Sequence, residues 1–426
     1  MRQEAYFCTA EELNSRGKDN IPQQLISHTH LIYSSPATLA FNSPGAEGFG
    51  VKRAGLAVPD SIMLIVAPGC CGRNTSVLSS MRAYHDRFYY LLMDETDIVT
   101  GRHLKKIPKA VAEICEGLEK KPSVVMICIT CVDALLGTDM ERVCRKAEEA
   151  TGLPVKPCYM YALTREGRKP PMVHVRQSIY SLLEPRKKKG NVVNLLGYFS
   201  PLVDDCELYD LLHGAGVKTI HEISRCKDYE EYQTMSEANF NLVLHPEARF
   251  AAEDFHDRLK IPYIELRRLY QIDKIASQYR AFGVALGVEF DDEEPRKAAE
   301  AAVAKFKELH PDASVAVGEW MNGDPFELAL ALVRYGFRVP EIYGTLSGEN
   351  FIYIKQLAAL SPETKVFSNL EPTMLYYDGA DSGVNLTIGK DAGYYHKNCP
   401  NVLWNGERQP YGYAGVRRLF EALAEV

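Results

Sequence analysis

The runs Ile62-Met63-Leu64-Ile65-Val66-Ala67, ending at Pro68-Gly69-Cys70-Cys71-Gly72, and Val124-Val125-Met126-Ile127-Cys128-Ile129-Thr130-Cys131, leading into Leu135-Leu136-Gly137-Thr138-Asp139, decide the fold of this chain. Each is a continuous apolar stretch of strand length bounded by turn residues, the pattern of a strand buried on both faces of a parallel sheet. Both end at cysteine. Ligands of parallel α/β sheets sit outside the carboxyl ends of the strands, so two such strands deliver thiols to one place.

Outward from these runs the alternation continues. A turn at Cys70 to Gly72 precedes a helix from about Ser76 and an apolar run from Tyr89 to Met93. Ile107, Val111, Ile114 and Leu118 recur at helical spacing. Thr138 stands where a helix N-cap belongs, ahead of Met140, Val143 and Ala147, with Gly152 as the stop. Leu153 to Cys158 returns as a strand, and residues 1 to about 60 read as irregular.

The charged run Pro185 to Gly190 marks a boundary, after which the pattern restarts with strands at 191–198, 217–223 and 239–244. A helical stretch from Ile272 to His310, interrupted near Gly287, leads to a third restart with apolar runs at 314–318, 339–343, 365–367 and 384–388 and a closing helix from Gly415. The expectation is an α/β protein of three Rossmann-like domains with parallel sheets, spanning 1–186, 187–290 and 291–426.

Composition narrows the function. No apolar run is long enough to cross a bilayer and the start lacks a secretion signal, so a cytoplasmic protein is expected, with no membrane partner. Lys and Arg number 49 against 56 Asp and Glu, and the dense run Arg186 to Lys189 reads as a solvated linker, which argues against nucleic acid as a partner. No Gly-x-x-x-x-Gly-Lys-Ser/Thr loop occurs, and Gly-x-Gly-x-x-Gly is missing after the strands that open each restart, so neither a P-loop ATPase nor a dinucleotide enzyme is indicated. Gly-x-Ser-x-Gly is absent too.

Eleven cysteines without an export signal point to thiols or metal ligands rather than disulfides. Iron-sulfur clusters take thiolates from tight loops beside glycine, and Cys70-Cys71-Gly72 answers that demand, with Cys71 the preferred ligand. Cys128 and Cys131 form a C-x-x-C, but alternation along a strand turns Cys128 into the core and leaves Cys131 at the crevice. The motif ends a strand instead of starting a helix, unlike a thioredoxin pair, and no second pair completes a zinc site. Cys8, Cys115, Cys144, Cys158, Cys206 and Cys226 read as core or neutral surface, and Cys399 as a surface loop residue.

These residues resemble the nitrogenase component 1 type oxidoreductases, a family of dinitrogen-reducing subunits, cofactor-assembly scaffolds and chlorophyllide-type reductases. Pro68 to Gly72 is similar to its Gly-Pro-x-Gly-Cys-Gly turn, Asp97-Ile98-Val99-Thr100-Gly101 to its Asp-Ile-Val-Phe-Gly-Gly segment, and Cys131 to Asp139 to its Cys-Pro-x-x-x-Ile-Gly-Asp-Asp segment. Phe240 to His245 followed by Ile261-Pro262-Tyr263, and Gly412-Tyr413-Ala414-Gly415, extend the likeness over most of residues 30–426.

The resemblance implies an iron-sulfur cluster at a subunit interface, held by Cys71 and Cys131 with Cys70 as an alternative third ligand and Gly72 giving access. The family's first cluster cysteine falls near Ser43-Pro44-Gly45, where none stands. Two thiolates per chain, four across a two-fold, suit a [4Fe-4S] cluster. The family's active-site cofactor hangs on a cysteine and a histidine, and those positions fall on Pro246 and near Val402. Any second metallocofactor is therefore not of that Cys/His-ligated type, and dinitrogen reduction is not expected.

The implied function is electron transfer from an ATP-dependent iron protein, through the cluster, to a substrate or cofactor in a cleft between domains. The implied assembly is a homodimer, or a heterodimer or heterotetramer with a homologous subunit. His245, His396 and Lys390, with Tyr198 and Glu319, lie at or near expected strand ends and are the cleft candidates. The alternatives are a scaffold for metallocluster assembly and an iron-free α/β binding protein.

Overall fold

The computed structural model describes residues 4–26, 50–69, 84–130, 136–159 and 169–426. The chain opens with β1 (Cys8–Thr9) and α1 (Ala10–Arg16), whose start is closed by a reciprocal capping box between Thr9 and Glu12. The expectation of an irregular N-terminus fails here, while Cys8, expected as core or neutral surface, is core, buried in β1. A two-residue strand carries no periodic signal, and its pairing partner is more than 350 residues away.

A short helix α2 (Val51–Gly55) leads into β2 (Ile62–Ala67), β3 (Phe88–Leu92), α3 (Glu95–Thr100), α4 (His103–Gly117), β4 (Val125–Ile129), α5 (Met140–Thr151), β5 (Val155–Tyr159) and α6 (Pro171–Tyr180). The four strands form a parallel sheet in the order β3-β2-β4-β5. Alternation along the strands sorts their side chains. Ile62, Leu64 and Val66 of β2 with Val125 and Ile127 of β4 face a core shared with Ile107, Val111 and Cys115 of α4 and with α5. Met63, Ile65 and Ala67 with Met126 and Cys128 face the opposite core, under α6. The helix α5 is capped by Asp139, whose carboxylate accepts from the Arg142 N–H, and not by Thr138; Gly152 ends it in the left-handed conformation.

The second sheet is built from β6 (Val192–Leu196), β7 (Thr219–His221), β8 (Phe240–Val243) and β9 (Tyr263–Glu265), in the order β7-β6-β8-β9 and parallel throughout. Between these strands run α7 (Glu207–Gly214), α8 (Tyr229–Gln233) and α9 (Arg249–Leu259). Val175 and Ile179 of α6 bury against Val192, Leu196, Val243 and Phe255, so a single apolar core joins the first two sheets.

Two long helices, α10 (Ile272–Leu286) and α11 (Glu293–Leu309), precede the third sheet. That sheet comprises β10 (Ser314–Val317), β11 (Arg338–Tyr343), β12 (Lys365–Phe367), β13 (Leu386–Ile388) and β14 (Asn401–Val402), with α12 (Pro325–Tyr335), α13 (Phe351–Leu360), α14 (Lys390–Tyr395) and the closing α15 (Gly412–Ala424). Its order is β1-β12-β11-β10-β13-β14, parallel except for β1, which pairs antiparallel at the edge. The helix α12 is buried along its first eight residues, with Asp324 as N-cap, Pro325 next and Gly336 as its left-handed stop. The fold is α/β with three Rossmann-like domains. Packing gathers the chain into two compact units, one of residues 44–200 and 217–267, the other of residues 1–43, 201–216 and 268–426.

The closing helix starts at Gly412, three residues before the expected Gly415. The physical cause is Glu207, a buried carboxylate that accepts from the N–H groups of Tyr413 (2.6 Å) and Ala414 (3.0 Å) and from the Tyr279 hydroxyl (2.7 Å). It caps the helix in trans. Gly412 has φ +58°, and a Cβ there would land on that carboxylate. Among the described residues no helix is long and apolar enough to cross a membrane.

Candidate functional site

All three sheets have a topological switch point, where two central neighbours send their connections to opposite sides and leave a crevice at their carboxyl ends. In the first sheet it lies between β2 and β4, paired in register through Ile65 with Cys128 and Val66 with Ile129. The chain leaves these neighbours at Ala67-Pro68-Gly69 and at Thr130. Cys70, Cys71 and Gly72 follow the first exit and Cys131 the second; all four lie outside the described residues.

Paired strands run about 4.8 Å apart, so the two exits are neighbours. Thr130, only 2% exposed, has a hydroxyl without a hydrogen-bond partner among the described residues. Sequence supplies soft thiolate donors next to both exits, and a donor set of that chemistry fits an iron-sulfur group. Among the described residues no three His, Cys, Asp or Glu side chains gather as a metal site. Cys128 is fully buried beside its in-register neighbour Cys158; the hydrogen bond between the thiols and burial hold Cys158 well above the usual thiol range.

The second switch point lies between β6 and β8. Gly197 follows β6 at φ +133°, and a Cβ on it would come within 2.7 Å of the His245 Cβ, so only glycine lets the two exits close. Tyr198 donates its hydroxyl to the Leu244 carbonyl at 3.1 Å and meets the His245 ring edge-on at 5.6 Å. The His245 Nδ1 accepts from the Glu247 N–H at 3.3 Å, leaving the ring partly exposed at the strand end.

Behind them Arg176 of α6 is buried. Its guanidinium donates twice to the Gly197 carbonyl (3.0 and 2.6 Å), once to the Met172 carbonyl (2.9 Å) and once to Glu247 (2.8 Å), and it lies over the Phe199 ring. Burial lowers its pKa, but four acceptor contacts satisfy the charge. Sequence reasoning passed over Arg176 because its partners lie 21 and 71 residues downstream.

The third lies between β10 and β13. Asp391 is fully buried and accepts from the N–H groups of Glu319 (2.8 Å) and Trp320 (3.1 Å) and from the Asn369 amide (2.6 Å). A Cβ on Gly318 would collide with this carboxylate, which explains the glycine. Glu319 accepts from the Thr345 N–H at 3.0 Å, and burial pushes its carboxyl up to about 7, with the Asp391 charge adding to the rise. Lys390 opens α14 at this end, its N–H donating to the Trp320 carbonyl.

His396 sits elsewhere. Its Nε2 is 3.0 Å from each of Glu341 Oε2, Tyr343 Oη and Tyr377 Oη, in a closed buried cluster at the far end of α14. Burial works to raise the Glu341 carboxyl, but hydrogen bonds from His396, Tyr377 and Tyr343 hold it below its ordinary value. Cys399 donates its thiol to the Val384 carbonyl. Pro246 begins the 3-10 turn after His245, and Val402 is buried in the edge strand β14.

Residues 47–426 match the family model described as nitrogenase component 1 type oxidoreductase. The chain is 26% identical over 238 residues to the nitrogenase iron-molybdenum cofactor biosynthesis protein NifE of Nostoc sp. (strain PCC 7120), a match covering 54% of this chain and 49% of the relative. It is 25% identical over 299 residues to the NifE of Klebsiella pneumoniae (65% and 63%) and 28% over 224 residues to that of Rhizobium meliloti (51% and 47%). The chain thus spans between about half and three-fifths of the length of these curated relatives. The solved structure titled "Nitrogenase Cp1 at pH 6.5" superposes with a TM-score of 0.70 at 18% identity, covering 97% of this chain and 95% of that one, a likeness of fold. With the family model matched over nearly its whole length, the chain belongs to the nitrogenase component 1 type oxidoreductases.

Proposed function

We propose that this chain is a subunit of a metallocluster-assembly scaffold, in which Cys71 and Cys131, with Cys70 in reserve and Gly72 giving access, hold an interfacial iron-sulfur cluster, a [4Fe-4S] cluster when two chains supply two thiolates each. The carrying observation is the register of β2 with β4, which brings the exits before these cysteines side by side at a switch point. The partner is a second copy or a homologous chain. In support, Leu92 at the end of the edge strand β3, Val99 in α3 and Leu104 in α4 are exposed apolar residues, and Val99 is 84% exposed.

The scaffold reading is favoured over dinitrogen reduction by the relatives' names and by Pro246 and Val402 at the positions of the two cofactor ligands. A second reading is a reductase that takes electrons from an ATP-dependent iron protein and passes them to a substrate or cofactor in the interdomain cleft, in the cytoplasm. The Glu319 carboxyl near neutrality favours it, because reduction consumes protons and an acid of that strength supplies them at neutral pH. His245, at the second switch point, and Lys390, at the third, are then the residues to test, each in its own unit.

The deciding experiment is anaerobic purification with iron and sulfide analysis of the wild type, Cys71→Ala and Cys131→Ala. Each substitution is expected to lower iron by at least half. Full iron in both would refute the ligand assignment, and an iron-free wild type after reconstitution would leave an α/β binding protein. Delivery of the metal to an acceptor protein without turnover identifies the scaffold; ATP-dependent reduction of the cluster by an iron protein identifies the reductase.

A further inference from the structure

The register of β4 on β5 in the first sheet sets Cys128 directly beside Cys158. Both side chains point to the same face, into the core that also holds Met63, Ile65 and Met126. Both cysteines are free, and neither is more than 1% exposed. The two thiols are hydrogen-bonded to each other. Neighbouring strands run about 4.8 Å apart, inside the window of roughly 4.4–6.8 Å that the Cα atoms of a disulfide span. A bond between the two sulfurs therefore closes without a change of register.

The pair is chemically asymmetric. Burial pushes the thiols of Cys115 and Cys144 above the ordinary range. Cys128 is more deeply buried than either, yet the hydrogen bond from Cys158 holds it below that range. The same bond, with burial, holds Cys158 well above it. Lys52 of α2 adds a positive charge that favours a thiolate. Thiolates and not thiols attack, so Cys128 has the character of a nucleophile and Cys158 that of the proton-bearing partner.

The helix α2 rests on this pair. Cys158 donates its thiol to the Val51 carbonyl at 3.3 Å, and a Cβ on Gly55 would lie 3.3 Å from the Cys158 sulfur. A helix of 5 residues does not hold by its own backbone bonds, so contacts of this kind fix it. Any change at the Cys158 sulfur is felt at the start of α2.

We infer that Cys128 and Cys158 are a redox-active dithiol that a hydroperoxide closes into a disulfide between β4 and β5, releasing the first turn of α2. The inference stands apart from the cluster reading, since neither cysteine is among the proposed ligands. The Cys128 sulfur attacks one peroxide oxygen, the O–O bond breaks, and the first water leaves with Cys128 as a sulfenic acid. The Cys158 sulfur then displaces the sulfenic hydroxyl, which leaves as the second water. Two electrons pass from the sulfurs to the peroxide oxygens, and both thiol protons end in the waters. Cys158 then has no S–H, and the Val51 carbonyl loses its donor.

The test uses the full chain, purified anaerobically, reduced, titrated with hydrogen peroxide, quenched in acid, unfolded and treated with N-ethylmaleimide. Mass spectrometry of the digest is expected to show a peptide pair linked through Cys128 and Cys158, lighter by two hydrogens and separated by dithiothreitol, while Cys115 and Cys144 are alkylated in full. Amide exchange at 51–55 is expected to run about five-fold faster in the oxidised chain, the effect of one lost hydrogen bond. In Cys158→Ala the reaction stops at a Cys128 sulfenic acid that dimedone traps, and in Cys128→Ala no sulfenic acid forms at Cys158. The mapping on the wild type needs neither variant, so a folding defect in one of them does not mask the result. Alkylation of both Cys128 and Cys158 after peroxide, linkage of either to another cysteine, sulfenic acid at Cys158 in place of Cys128, or unchanged exchange at 51–55 overturns the inference.

Discussion

Replacing Gly412 with alanine isolates the device that starts the closing helix. Gly412 sits at φ +58°, where a side chain costs about 1 kcal/mol relative to glycine. The added Cβ falls on the Glu207 carboxylate and crowds the Tyr279 hydroxyl, so Glu207 has to withdraw from the Tyr413 and Ala414 N–H groups. Hydrogen bonds to a buried charge contribute about 1.5–3 kcal/mol each. Losing one or two of them brings the expected destabilisation to about 3–5 kcal/mol, or a melting temperature lower by roughly 10 °C for a unit of this size.

The assay is direct. Both tryptophans, Trp320 and Trp404, belong to the unit that contains Glu207 and Gly412, so tryptophan fluorescence reports its unfolding without interference from the other unit. If the clash with Glu207 is the cause, Glu207→Ala costs less in the Gly412→Ala background than in the wild type, with a coupling of at least about 1 kcal/mol. A Gly412→Ala protein within about 1 kcal/mol of the wild type, or strictly additive effects, would refute the capping argument.

Other outcomes follow from the two remaining switch points. In the folded chain the Glu319 carboxyl titrates at about 7 against an ordinary 4.5, so the folded state holds its proton more tightly and stability falls as pH rises through that window. Glu319→Gln is expected to remove about 2 kcal/mol of this loss, allowing for the partial exposure of the residue, as read from urea midpoints by tryptophan fluorescence at pH 5 and pH 8. Parallel pH curves for wild type and variant would contradict it. Arg176→Lys replaces a fork on the Gly197 carbonyl with a point charge, at an expected cost of about 2–3 kcal/mol. Amide hydrogen exchange at 197–198 and 245–247 is expected to quicken on the order of 50-fold, and unchanged rates would show that the guanidinium does not hold this crevice.

What was legible in the sequence was legible for local reasons. The runs 62–67 and 125–129 are apolar at every position, as strands between two helical layers must be, and Ile107, Val111 and Ile114 mark the side of α4 that packs on them. Gly152 and Gly287 end helices because the left-handed conformation suits a residue without a side chain. The cap at Asp139 was misplaced by one residue because Thr138 and Asp139 are both competent, and only the bond from Arg142 tells them apart. The antiparallel edge strand at Cys8, the carboxylate of Glu207 and the guanidinium of Arg176 were not legible, since each acts on backbone far along the chain.

By itself the sequence determined the family, the α/β class with three Rossmann-like domains, and the coincidence of cysteines with strand ends, all of which depend on residue order and apolar spacing. Strand order was settled only in three dimensions. Placing β2 beside β4 makes neighbours of two exits more than 60 residues apart and packs α4 on the face that carries Leu64, Val66, Val125 and Ile127. The same packing closes His396 into a cluster with Glu341 and leaves His245 at a crevice, although both read alike as histidines near strand ends. Pairing between distant segments is chosen by the summed burial of the whole sheet, a quantity that no local stretch contains.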